Sequence, residues 1–96
     1  MPKNIAPEPA ATPTPAAAAH ADDLAAFVAA SPSSFHAAAE VARRLEDAGF
    51  TRLDEAAAWP APAGGRYVVV RDGATIAWAV PATATATTGV HVLGAH

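Results

Sequence analysis

The sequence predicts an α/β fold with an incomplete sheet, made of two helices, a β-hairpin and one buried strand in that order. Three observations carry this expectation. Phe35, Ala38, Ala42 and Leu45 form an apolar stripe at helical spacing. Two β-rich runs flank the turn dipeptide Asp72-Gly73. The stretch Gly89-Val90-His91-Val92-Leu93-Gly94 has the length and apolarity of a buried strand.

Taken in order, the first 21 residues alternate Pro, Ala and Thr and offer little to bury, so a disordered tail is expected over 1–21. No basic residue accompanies its prolines in a docking pattern, and a solvated extension accounts for it. Asp22 and Asp23 then supply capping oxygens, and Leu24, Phe27 and Val28 fall on one face, which predicts a short helix ending near Ala30. Ser31-Pro32-Ser33-Ser34 stops that helix, and its serines can cap a second one. In the second helix Glu40, Arg43, Arg44, Glu46 and Asp47 lie largely off the apolar stripe. Gly49 is placed to take the left-handed conformation that closes it, with Phe50 folding back on the last turn.

Thr51-Arg52-Leu53 reads as a short extended piece, and Pro60, Pro62, Gly64 and Gly65 mark a loop. Arg66 to Arg71 and Ala74 to Val80 are the expected hairpin strands. The run PATATATT between Pro81 and Gly89 carries only small side chains and reads as a loop. A sheet built this way leaves edges open, and a chain that ends just beyond a buried strand has usually been cut there. The expectation is a truncated domain over 22–96.

Composition narrows the function classes. The chain has 96 residues, 52% of them hydrophobic, but most of that share is alanine, whose methyl group removes little apolar surface from water. A formal charge of -3 with only six Lys+Arg argues against a nucleic-acid partner, since no basic patch exists to release counterions. No run approaches a membrane span or a signal-peptide core. The absence of cysteine excludes disulfides and thiolate metal sites and fits a cytoplasmic protein.

Chemistry-bearing residues are few. The histidines are His20, His36, His91 and His96, and none forms an i, i+4 pair or an H-E-x-x-H pattern. On a strand, His91 and His96 would point to opposite faces and would not chelate one ion together. His20 reads as a solvated tail residue, His91 as an ordinary strand residue, and His36 as a capping or packing residue. By spacing alone His96 reads the same way, although a residue after Gly94-Ala95 at a strand's carboxyl end stands where α/β enzymes commonly set catalytic groups. Asp22-Asp23, Asp54-Glu55 and the serines are explained by capping and turns, and no nucleophile elbow or phosphate loop occurs.

Read together, Leu24–Val28, SPSSFHAAAEVARRLEDAGF (31–50), LDEAAAW (53–59), GGRYVVVRDG (64–73), IAWAV (76–80) and GVHVLGAH (89–96) resemble the aspartyl aminopeptidase family of zinc metallopeptidases at its N-terminus. The resemblance implies a hydrolase that removes N-terminal, typically acidic, residues from peptide substrates. It implies two Zn2+ ions sharing a bridging carboxylate and a water, with a glutamate taking the proton. It also implies a catalytic α/β sandwich, of which this would be the N-terminal part, and large homo-oligomers. The histidine of the family's G-A-H motif is a zinc ligand, and His96 occupies that position. The Thr-Asp-Ser-Pro that normally follows, the bridging Asp, the catalytic Glu and the other ligands are not in this sequence, so the fragment is expected to be inactive alone. Ser34 stands where the family often has Pro, and Val90 where an aromatic is common. A small α/β binding module complete in itself, or a degenerate relative kept for assembly, are the competing readings.

Overall fold

The computed structural model describes residues 11–60 and 64–96. Two helices, α1 (Pro15–Ala29) and α2 (Ser34–Asp47), precede three strands, β1 (Thr51–Arg52), β2 (Arg66–Arg71) and β3 (Ala74–Ala79). The sheet runs β1-β2-β3, with β1 parallel to β2 and β2 antiparallel to β3. This is the incomplete α/β arrangement the sequence predicts.

Helix α1 starts earlier than its carboxylates suggest. Thr14 is the N-cap, its Oγ1 accepting the Ala17 amide at 3.1 Å, and Pro15 occupies the first turn. Alanine then propagates the helix by propensity alone, with no apolar periodicity to advertise it. Asp22 and Asp23 therefore sit inside the helix instead of capping it. Of the expected tail, residues 1–10 lie outside the described residues, and the stretch from Pro15 onward is helical. No residue of α1 is buried; Phe27 is half-buried beneath the Arg44 guanidinium, which lies 5.2 Å from its ring centroid.

Helix α2 has both ends built as the sequence predicts. Ser33 is the N-cap and accepts the His36 amide. At the other end Gly49 adopts φ 98°, the Gly49 amide donates to the Glu46 carbonyl, and the Phe50 amide reaches back to the Leu45 carbonyl at 2.9 Å. This double hydrogen bond reverses the chain and delivers it into β1. Ala38 and Ala42, the small residues of the apolar stripe, are the buried ones, whereas Phe35 at its start is exposed. Small side chains let the helix backbone approach the sheet closely, and Thr75 Oγ1 on β3 donates to the Ala38 carbonyl.

The hairpin register pairs Arg71 with Ala74 across Asp72-Gly73 and Val68 with Ala77. Asp72 takes φ 50°, one of the residue types that tolerates the left-handed region. Gly73 is required by proximity, since a Cβ there would lie 2.6 Å from Ser34 Oγ at the start of α2. By alternation, Val68, Val70, Thr75 and Ala77 share the face covered by α2, and Val68 is fully buried. Tyr67, Val69, Ile76 and Trp78 share the opposite face.

One expected element does not form. Residues 89–94 are irregular, and Val90, Val92 and Leu93 are exposed, Leu93 at 100%. A strand buried on both faces needs neighbours for its backbone amides and carbonyls, and no strand of this sheet lies alongside it. Their apolarity was legible; their partner was not.

Across the outer surface of α2 runs a chain of ion pairs. Arg43 Nε donates to Glu40 Oε2 at 3.0 Å, Arg44 Nε to Glu40 Oε1 at 2.9 Å, and Arg44 Nη1 to Asp23 Oδ1 of α1 at 2.9 Å. The hydrogen bonds from Arg43, then those from Arg44, hold the Glu40 carboxyl down at about 2 against an ordinary 4.5.

Two outcomes follow from these contacts. Replacement Gly49→Ala forces a side chain into the left-handed region and should lower unfolding stability by roughly 1–2 kcal/mol in a denaturant titration. For Glu40 the folded value lies below the unfolded one, so its contribution is fully present above pH 4.5 and fades as pH falls through about 2. A carboxyl-detected NMR titration should place the Glu40 midpoint near 2, and Glu40→Gln should remove that part of the acid dependence of unfolding.

Candidate metal-ligand site at the C-terminal segment

The position that the sequence offers for chemistry, His96, lies at the end of the irregular segment 89–96 and is exposed. His91 is also exposed and lines an open groove of about 650 Å³ together with Trp78, Val80, Thr85, Val90 and Leu93. The groove floor comes from the end of β3, and its far wall from the loop after Pro81. Two hydrogen bonds shape that wall: the Thr85 amide donates to Thr88 Oγ1 at 2.7 Å, and the Ala84 amide to the Pro81 carbonyl at 3.0 Å. Thus the threonines of PATATATT satisfy their own backbone locally, as short hydroxyl side chains in loops do.

The other two histidines are far from any such arrangement. His20 is exposed on α1. His36 occupies the first turn of α2, with its Nδ1 2.6 Å from Ser33 Oγ, the same oxygen that accepts the His36 amide. Ser33 Oγ thus meets both the backbone amide and the ring nitrogen of His36. The result is a capping role for His36, one of the two that its position suggested.

A dinuclear zinc centre needs several carboxylate and imidazole ligands converging at bonding distance. Among the described residues no group of three or more His, Cys, Asp or Glu side chains is placed to hold a metal ion. The residues present therefore do not make that centre. The carboxylates that lie close to basic groups are committed elsewhere: Glu40 to Arg43 and Arg44, Glu55 to Arg71, Asp47 to Arg43, Asp23 to Arg44. Sequence reasoning placed Glu40, Arg43 and Arg44 off the apolar stripe but did not join them. Their i, i+3 and i, i+4 spacing was the available signal.

A second open cleft is lined by Arg52, Leu53, Asp54, Glu55, Ala56 and Val70. Asp54 Oδ1 accepts the Ala56 amide at 2.9 Å, and the Asp54 carbonyl accepts Trp59 Nε1–H at 3.0 Å, so Asp54 is spent on the turn as its sequence context indicates. That turn sets the Trp59 ring 5.3 Å from Trp78.

The fold is an incomplete α/β unit whose sequence ends in Gly94-Ala95-His96. Residues 27–96 match the family of aminopeptidase I zinc metalloproteases (M18), and the chain belongs to that family. It is 51% identical over 77 residues to a protein of Streptomyces coelicolor described as a probable M18 family aminopeptidase 2, covering 80% of this chain and 18% of that one. Similar proteins with the same description occur in Pseudomonas paraeruginosa, 49% identical over 71 residues, and in Mycobacterium leprae, 45% identical over 78. These matches cover 73% and 81% of this chain and 17% and 18% of the relatives. The chain thus spans under a fifth of the length of the relatives it matches, and it aligns with their N-terminal part. No helix among the described residues is long and apolar enough to cross a membrane.

Because one exposed imidazole cannot close a zinc site, calorimetric titration of this chain with Zn2+ should give no sub-micromolar binding. His96→Ala should leave its thermal unfolding unchanged. A tight, His96-dependent zinc site would contradict the reading of the donor set.

Proposed function

We propose that this chain is the N-terminal part of a zinc-dependent aminopeptidase that removes N-terminal, chiefly acidic, residues from peptides, and that by itself it is inactive. The observation that carries the reading is the match over residues 27–96, which runs through to Gly94-Ala95-His96. In this reading His96 is one zinc ligand of a two-zinc centre whose other ligands come from polypeptide beyond the matched part. When complete, such a centre supplies Lewis acidity and an activated water. The chain's own contribution is a rigid helix–sheet unit from which the segment 89–96 presents His96. Domain 1–21 is then an extension outside the catalytic unit, and 22–96 the beginning of that unit.

The whole enzyme is proposed to be cytoplasmic and homo-oligomeric, in line with the cysteine-free composition and with the family resemblance. The open sheet and exposed apolar segment Val90–Leu93 favour a part of a larger domain over a self-contained binding module.

The test is a chimera joining residues 1–96 to the remaining polypeptide of the Streptomyces coelicolor relative, assayed with Asp-, Glu- and Leu-nitroanilides. Zinc-dependent hydrolysis with preference for the acidic substrates is expected. In the chimera His96→Ala should lower kcat/KM by more than the roughly 100-fold that losing a supporting residue of a metal site can cost. An unaffected His96→Ala variant removes the ligand assignment, and a preference for Leu removes the acidic specificity.

A further inference from the structure

We draw no further inference here: the strongest candidate, the apolar surface patch of Leu24 and Val28 on α1 with Phe35 at the start of α2, carries nothing, because nothing in the structure shows what covers it.

Discussion

The contact on which the rest of this chain depends is the seating of Ala38 and Ala42 of α2 against Val68 of β2. Val68 and Ala42 are fully buried, and few other residues in the described chain approach that state. Alanine contributes little transfer energy for its own burial, but it removes the side-chain bulk that would hold the helix away from the sheet. Burial of the valine contributes about 1.5–3 kcal/mol. Close approach then makes other contacts possible. Thr75 reaches the Ala38 carbonyl, Ser34 lies against Gly73, and Arg66 extends beneath the helix end to lie 5.4 Å from the Phe50 ring centroid.

From that seating the chain path follows. The glycine turn after α2 sends the backbone into β1 alongside β2, where Leu53 donates its amide to the Val68 carbonyl at 2.9 Å. The turn at Asp54 then brings Trp59 over Trp78, and the hairpin closes the small sheet. Each step is local and satisfied. Among the described residues the cover is uneven: on the face opposite α2 Val69 is buried while Ile76 is exposed, and Val90, Val92 and Leu93 of the segment that leads to His96 are exposed as well.

Electrostatics plays a supporting role in this picture. Glu40 gathers two guanidinium groups, and Arg44 passes the contact on to Asp23, joining α1 to α2 where apolar packing is thin. Exposed pairs of this kind contribute modestly because water competes for the same groups. They fix the relative position of the helices more than they stabilise them. The carboxylates so engaged are not available as metal ligands, which agrees with the dispersed placement of the acidic residues.

Much of the architecture was legible in the residues themselves. Ser33, Gly49 and Phe50 specify the ends of α2 through backbone hydrogen bonds that need no distant partner, and Asp72-Gly73 specifies the hairpin for the same reason. The family was legible too, in motifs ending at Gly94-Ala95-His96. Two things were not. The start of α1 was hidden because alanine helices carry no periodic pattern, so Asp22-Asp23 looked like the cap when Thr14 is. The segment 89–94 was read as a strand from apolarity, yet strand formation is a pairing between segments, and no neighbour lies beside it in this fold. The sequence by itself determined the elements whose hydrogen bonds close locally. Tertiary structure alone decided which apolar residues are buried, and so that His96 stands exposed at the end of an unpaired segment, because burial and pairing depend on what the rest of the chain places alongside.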